Sequence, residues 1–439
     1  MSPETVGAIG IGILIVLLFS RMWIGGTMMI VGILGCAILA GWPTAHSLAG
    51  VVAYGQTASY TMASLPMFVF MGSIIAISGL GSDLYIAARN WFGHIRGGLA
   101  MATVVACGLF AAVCGESTAT AVTMGKIAFP EMKKYHYDER LAASAIASGG
   151  TIGIMIPPSV SFILYGLITE DSIGHLFMAG VIPGISQVVF YMVIIGVWGR
   201  IKPLHAPAAP RSSWRDRGRS LLTVWPVLFV FFIVFYGMYN GVFTPAECGA
   251  IGALVALITS FALRRMNRRQ LIKTIEDGIR TAALTFFIII GAYFLMRFMA
   301  LSHLPSAMGT AIVTWQQTYS IPKFAIIGVI VVFYLICGCF LDVIACILLT
   351  LPIVHPVIVG GLGFDSIWWG VIMVRVIEMS MISPPFGLNL FVLTKSIDID
   401  LKKMYKGVWP FLASDILHLV LLVVFPQISL WLPFQMRMA

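Results

Sequence analysis

Four short segments of this chain carry the oxygen donors that a buried ion and a small anion require. Gly115-Glu116-Ser117-Thr118-Ala119-Thr120, and Gly149-Gly150-Thr151 through Pro157, combine hydroxyls with backbone whose carbonyls are not all committed to a helix. Gly338 through Asp342, with Ser380, Ser383, Pro384 and Asn389, offers a second set of the same kind. Hard cations such as Na⁺ take several neutral oxygens, and unwound backbone supplies them. Small residues also let helices approach closely, and for Thr118 or Thr120 taken alone both readings stay open. The four segments together point to a site for an ion and a substrate, with Thr120, Ser159, Asn389 and Arg297 as the substrate-side candidates.

Ionisable groups inside apolar spans are costly and commonly functional. Glu116 and Asp342 fall in the first and third of these segments, Arg375 and Glu378 lie in one apolar run, and Arg297 in another. Arg375 and Glu378, three apart on one helix, would neutralise each other. Arg297 would attract a carboxylate, pair within the protein, or extend toward the membrane surface. His303 and His355 stand alone near span ends and read as structural. No G-x-x-x-x-G-K-[ST] occurs, so ATP is not the expected energy source, and no H-E-x-x-H or G-x-S-x-G suggests an intramembrane hydrolase. The chain is read as a transporter and not as an enzyme.

The elements that position these residues are membrane helices, two of them broken. Pro157-Pro158 and Pro384-Pro385 each interrupt an apolar stretch. Proline removes a backbone N–H and clashes with the preceding turn. Polar backbone freed at membrane depth is tolerated only against protein or a watery cavity. One such break in each half of a chain is the sequence mark of a secondary-transporter binding site. Composition agrees: 59% of the residues are hydrophobic and only 10% charged, with mean hydropathy +0.97. A soluble domain carries about a quarter charged residues. The net charge of +9 does not point to nucleic acid, because the basic residues cluster in short loops between apolar runs. The seven cysteines show no repeated metal spacing and read as small buried hydrophobes. Met1 to Ser20 has no basic leader and reads as a retained helix.

Placing the basic segments 89–96, 133–140, 200–219, 264–280 and 395–406 on the cytoplasmic side gives one consistent path. Spans at 4–20 and 23–42 are followed by an interfacial stretch at 44–62 and a span at 64–87. A re-entrant hairpin at 99–130, a broken span at 141–169 and a span at 176–199 complete the first half. The second half runs through 220–240, 245–263 and 281–301, then a hairpin at 323–359, a broken span at 366–394 and a last span at 407–432. Both termini then lie outside, where Lys323 and Arg437 are the basic residues left over. The halves also align on each other. Pro157 meets Pro384 at an offset of 384 − 157 = 227, and at that offset Asp138 meets Asp365, Asp171 meets Asp398 and Pro183 meets Pro410. The expected fold is an all-α polytopic membrane protein of two inverted repeats, 1–200 and 220–439. Each has a re-entrant helical hairpin and a broken helix, and a cytoplasmic linker at 201–219 joins them.

Ala147-Ser-Gly-Gly-Thr-Ile-Gly-Ile-Met-Ile-Pro-Pro-Ser159 and Pro384-Pro-Phe-Gly-Leu-Asn-Leu-Phe391 resemble the large membrane subunit of tripartite ATP-independent periplasmic (TRAP) transporters. The resemblance covers nearly the whole chain. At the first hairpin tip the family's small, Ser-rich pattern is interrupted by Glu116. The resemblance implies an elevator-type carrier of the bacterial inner membrane that takes up a small organic acid, such as sialic acid or a C4-dicarboxylate, with Na⁺. It implies two partners, a small four-helix membrane subunit and a periplasmic substrate-binding protein. Carried over position by position, one Na⁺ would be held by Gly115, Ser117 and Thr118 with Gly149, Gly150, Thr151 and Pro157. The other would be held by Gly338 and Asp342 with Ser380, Ser383 and Pro384. A one-component dicarboxylate or citrate carrier of the same superfamily, needing no binding protein, is the alternative.

Overall fold

The structure, a computed structural model, describes residues 1–20 and 22–436; Arg437 lies outside the described residues. All regular elements among them are helical. The first half comprises α1 (Pro3–Phe19), α2 (Ile24–Ala40), α3 (Trp42–Thr57), α4 (Ser64–Ile77), α5 (Leu80–Phe92), α6 (Gly98–Cys114), α7 (Ser117–Lys134), α8 (Glu139–Thr151), α9 (Val160–Thr169) and α10 (Ile173–Ile201). The second comprises α11 (Trp214–Tyr239), α12 (Pro245–Ala262), α13 (Arg268–Ser302), α14 (Leu304–Thr318), α15 (Lys323–Phe340), α16 (Val343–His355), α17 (Ser366–Ser380), α18 (Leu388–Ile397), α19 (Leu401–Val424) and α20 (Gln427–Gln435). Among the described residues, eight helical stretches are long and apolar enough to cross a membrane. Their apolar side chains face outward as well as inward: Val189 and Val193 on α10, and Val329 and Val332 on α15, are exposed. That is the pattern of helices solvated by lipid.

The hairpins and broken helices form as expected. α6 and α7 turn at Gly115, whose φ of +69° is a left-handed value that glycine adopts without cost. α15 and α16 turn at Leu341-Asp342. α8 ends at Thr151, a 3₁₀ turn covers Ile152–Ile154, and α9 restarts after Pro157-Pro158; α17 and α18 flank Pro384-Pro385 in the same way. The two Pro-Pro peptide bonds are both cis. Each half-helix after a break, α9 or α18, has only 10 residues, about 15 Å at 1.5 Å per residue, so it reaches half-way across the hydrocarbon.

The repeat is visible helix by helix. Asp138 and Asp365 are both N-caps, accepting from Arg140 N (2.8 Å) and Trp368 N (2.9 Å) and so satisfying donors that a helix start leaves unpaired. Beyond the breaks the register slips by one residue. Glu170, not Asp171, is the counterpart of Asp398, and both close their half-helices in the left-handed region, φ +61° and +52°. The copies are inverted. The start of α8 meets the start of α19 through Glu139–Lys403, 2.6 Å, whereas the start of α17 meets the end of α9, where Tyr165 Oη donates to Ser366 O at 2.7 Å.

Several boundaries differ from the sequence expectation. The span expected at 64–87 is two helices, because Gly79 at φ +74° turns the chain between α4 and α5. The third span of the second half starts at Arg268 and not at 281, since Asn267 and Gln270 form a capping box that starts the helix inside the basic segment. Residues 304–318, expected to be a connection, are helix α14, reached through His303 at φ +53°. The last span divides into α19 and α20 at Pro426. The linker expected at 201–219 is tied to the first half: Asp138 N donates to His205 O (3.0 Å), Gly97 N to Ala206 O (3.0 Å) and Ala209 N to Gly93 O (2.8 Å).

Those ties, with Arg265–Asp83, Glu139–Lys403 and Arg217 Nε donating to Asn90 O at 3.1 Å, gather all five basic segments at one end of the molecule. α2 lies along α13 at backbone contact. A Cβ added at Gly32 would stand 2.7 Å from Phe294 O, and one added at Gly25 2.8 Å from Phe287 O. Small residues that let backbones meet are how helices associate where lipid removes the hydrophobic incentive.

Candidate functional site

Both hairpin tips and both breaks converge. A cavity of about 300 Å³ is lined by Glu116, Ser117 and Thr118 of the first tip, by Asp342 of the second, by Ser161 at the start of α9, and by Thr285 of α13. Gly72 on α4 closes it from the other side. A Cβ there would stand 2.9 Å from Cys114 Cα, so glycine is what lets α4 touch the tip. The first turns of α7, α16 and α9 all open toward this space. Helix N-termini present unpaired N–H groups and the positive end of the dipole, a cradle for an anion. Glu116 is the N-cap of α7, its Oε2 accepting from Ala119 N at 2.9 Å, and Asp342 occupies the same position on α16. The cavity thus holds two acidic residues and no Lys or Arg among its lining residues.

The expected residues fall into three groups. Gly115, Ser117, Thr118 and Asp342 line the cavity directly. A Cβ on Gly115 would stand 2.7 Å from Pro158 O, so the first tip rests on the first break. Asn389 sits fully buried behind it and joins the repeats: its Nδ2 donates to Ser117 Oγ at 2.5 Å, and Thr118 Oγ1 donates to its Oδ1 at 3.3 Å.

Gly338, Ser380, Ser383 and Pro384 form a second cluster. A Cβ on Gly338 would lie 2.8 Å from Ser380 Cβ, and Cys339 Sγ lies against the carbonyls of Ser380 (3.8 Å), Ser383 (3.7 Å) and Pro384 (3.9 Å). Tyr405 takes up two further carbonyls of this break, Pro385 O and Phe386 O.

The remaining residues are near but not at the cavity. Gly149 and Gly150 lie inside α8, packed on the first hairpin: added Cβ atoms would meet Cys107 Sγ at 3.0 Å and Ala121 Cβ at 2.7 Å. Thr151 Oγ1 donates to Ser148 O (2.8 Å), Thr120 Oγ1 donates to Glu116 O (2.7 Å), Ser159 Oγ accepts from Phe162 N (3.4 Å), and Pro157 is buried in the break. Arg297 does not reach this cavity. It lines a separate one, higher along α13. Among the described residues no three His, Cys, Asp or Glu side chains cluster as metal ligands. A cation held here would be ligated by hydroxyls, carbonyls and single carboxylates, the donor set of a hard ion.

Two features escaped the sequence reading. Ser161 is the structural counterpart of Asn389, each being the second residue of its half-helix, and the one-residue slip in register beyond the breaks hid it, because the offset of 227 pairs Asn389 with Phe162. Asp415 and His418 complete the surroundings of Arg375. Its Nη2 donates to Asp415 Oδ1 at 2.6 Å, its Nη1 to Glu378 Oε2 at 3.2 Å and its Nε to His418 Nδ1 at 3.1 Å. All four residues are buried. Arg375 is thus paired within the protein, and the expected Arg375–Glu378 pair is one side of a larger cluster joining α17 to α19.

Comparison with known proteins agrees with this architecture. Residues 11–428 match the family described as tripartite ATP-independent periplasmic transporter, DctM component. A C4-dicarboxylate TRAP transporter large permease protein of Pseudomonas aeruginosa is 34% identical over 375 residues, covering 85% of this chain and 86% of that protein. An ectoine TRAP transporter large permease protein of Halomonas elongata is 30% identical over 85% of this chain and 86% of its own length. A sialic acid TRAP transporter large permease protein of Vibrio cholerae is 28% identical over 95% and 96%. In three dimensions, the crystal structure of the Alcanivorax borkumensis YdaH transporter superimposes with a TM-score of 0.65 over 95% of this chain and 98% of that one, at 13% identity. With inverted hairpins and broken helices around one cavity and a family match from end to end, this chain is a multi-pass membrane transporter subunit that belongs to the DctM component family of TRAP transporters.

Proposed function

We propose that this chain takes up a small organic acid together with Na⁺ across a bacterial inner membrane. It would work with a small four-helix membrane subunit that braces it and a periplasmic binding protein that delivers the substrate. The observation that carries the reading is the character of the 300 Å³ cavity: three helix N-termini suited to a carboxylate, two acidic residues and no basic side chain. An organic anion entering such a space meets two carboxylates, and bound cations offset them. One Na⁺ at Gly115–Thr118 with Gly149–Pro157, and another at Gly338–Asp342 with Ser380–Pro384, would do so. Each Na⁺ moving inward is driven by about 2.3 kcal/mol per 100 mV of membrane potential. The relatives named for C4-dicarboxylates and sialic acid make these acids the first candidates.

The five basic segments mark the cytoplasmic end, which leaves both termini periplasmic. Thr281 and Thr285, which line the cavity, follow directly on the basic start of α13, so the site here opens nearer the cytoplasm. The repeats 1–200 and 220–439 each contribute a hairpin and a broken helix to a travelling unit. α1, α2, α4 and α11–α13 form the scaffold on which it moves as an elevator, and the 201–219 segment joins the repeats.

The test is uptake of radiolabelled succinate and sialic acid into proteoliposomes under an inward Na⁺ gradient, with and without the two partners. Uptake that needs Na⁺ and both partners is the expected result. Uptake by this chain alone would identify a one-component carrier and refute the tripartite reading.

A further inference from the structure

A second cavity is larger than the one at the hairpin tips. It measures about 910 Å³, lies at the end of the molecule away from the basic segments, and is lined by Tyr293, Met296, Arg297 and Ala300 of α13 facing Glu170 and His175. Arg297 is exposed there and takes part in none of the ion pairs among the described residues. A guanidinium on the wall of a cavity, without a carboxylate partner among the described residues, is poised for an anion from outside the protein.

Its level matters. The hairpin tips now face Thr285, and Arg297 stands 297 − 285 = 12 residues further along the same helix. That spacing is about 18 Å at 1.5 Å per residue. The intervening wall holds little back: Tyr293 Oη donating to Leu167 O at 2.8 Å is the one side-chain hydrogen bond, among the described residues, from α13 to the hairpin and broken-helix unit.

We propose that the outer cavity is the outward station of the substrate site, and that Arg297 there binds the substrate's carboxylate. The site then holds its anion more tightly from outside than from inside. This rests on the travelling-unit reading proposed above. When the tips stand beside Arg297, the two acidic residues are offset by the guanidinium as well as by bound cations. When they descend to Thr285 the guanidinium stays behind on the scaffold, and the anion is left in a cavity without a basic side chain. Glu170, which ends α9, and the adjoining Asp171 face the same space from the unit that moves, so they do not remain opposite Arg297 once it has risen.

The experiment measures both faces in oriented proteoliposomes with the two partners, using radiolabelled succinate and sialic acid as probes. Loss of one charge-assisted contact weakens binding by about tenfold or more. Arg297→Gln should therefore raise the outside half-saturation concentration by about that factor. The value for efflux from inside should change less than about twofold, because no contact is lost there. Arg297→Lys should recover part of the loss. Equal changes on both faces, or no change on either, would overturn the proposal, and normal inside kinetics serve as the folding control.

A second measurement needs no substrate. In a chain whose native cysteines are replaced, Ala119→Cys at the tip and Met296→Cys in the outer cavity should form a disulfide once the unit rises. Absence of that crosslink under every Na⁺ condition, in a protein that remains monodisperse, would also overturn the proposal. Failure of the unsubstituted protein to transport either probe, with the crosslink forming, would instead count against the substrate class proposed above.

Discussion

Arg375→Met separates a structural role for the buried cluster from a substrate role. The guanidinium faces two carboxylates, and among the described residues no other basic side chain forms an ion pair with them. Glu378 Oε1 and Asp415 Oδ2 already lack a hydrogen-bond partner, so each acid is under-satisfied even with Arg375 in place. Removing one member of a fully buried ion pair costs about 3–5 kcal/mol, because the remaining charge is left uncompensated. Two stranded carboxylates place this variant at the upper end. Asp415→Asn keeps the shape and an acceptor for Arg375 Nη2 but removes the negative charge that strengthens this 2.6 Å bond, for about 1.5–3 kcal/mol at most. The triple replacement Arg375→Met, Glu378→Met, Asp415→Leu removes all three charges and should be more stable than Arg375→Met alone, as apolar substitution of buried ionic clusters often is. Chemical denaturation and fluorescence-detected size exclusion in detergent would rank the four proteins. If Arg375→Met unfolds like the parent while transport alone is lost, the cluster acts on substrate and the reasoning fails.

Three further outcomes follow from contacts elsewhere. Asn389→Leu orphans the buried Ser117 hydroxyl, at about 1–3 kcal/mol. It should loosen the first tip from the second repeat, read as faster hydrogen exchange at residues 115–120, and unchanged exchange would refute the bridge. Tyr293→Phe removes the Leu167 bond, worth about 0.5–1.5 kcal/mol, and should shift the crosslinking equilibrium toward the outer cavity by about two- to tenfold, with no shift expected if the bond does not span moving parts. Asp138 sits in the loop before α8. Burial pushes its carboxyl up, but the Arg140 side chain and backbone hydrogen bonds, with the nearby charges of Arg140 and His205, hold it below the ordinary carboxylate value. A depressed native pKa stabilises the fold above the unfolded value of about 3.9, and that contribution is lost as pH falls through the lowered one. Exchange of the His205–Ala209 amides should therefore be flat from pH 7 to 5 once intrinsic rates are removed, and should rise only below about 4. An increase near pH 6 would refute the assignment.

The parts legible in the sequence are those set by local chemistry. Pro157-Pro158 and Pro384-Pro385 break helices wherever they occur, and the tip residues Gly115 to Thr118 needed only their own types to be recognised. The Asp138 and Asp365 match was visible as an offset before its cause, paired N-caps, was known. What stayed hidden is long-range or unmarked. Asp415 lies 40 residues from Arg375, and nothing local couples them. The turn at Gly79 sits in an apolar run whose one proline, Pro66, is thirteen residues away, and there a left-handed glycine looks like any other. The start of α13 was legible in principle, as Asn267-x-x-Gln270, but an apolar count stops at the charges. Gly149 and Gly150 illustrate the opposite error in emphasis: a Gly-Gly before a break reads as exposed carbonyls, whereas here both glycines serve close packing.

Gly79 and His303 have a shared consequence. Each is a single left-handed residue joining a scaffold helix to a shorter rod, α4 to α5 and α13 to α14. α5 is fastened to the first hairpin through Arg89–Glu131 at 2.7 Å, and α14 leads into the second hairpin through Tyr319–Pro322. Rods of 13 and 15 residues are about 20 Å long, while four extended connecting residues span at most about 14 Å. An 18 Å stroke therefore exceeds what the connection can supply by stretching. If the proposed elevator stroke takes place, the rods swing with it, each through roughly 50° for a rod of that length. On that proposal, two rods of nearly equal length would act as a parallelogram linkage: the load would be carried up and down with little tilt, and the cavity would keep its shape while its height changes.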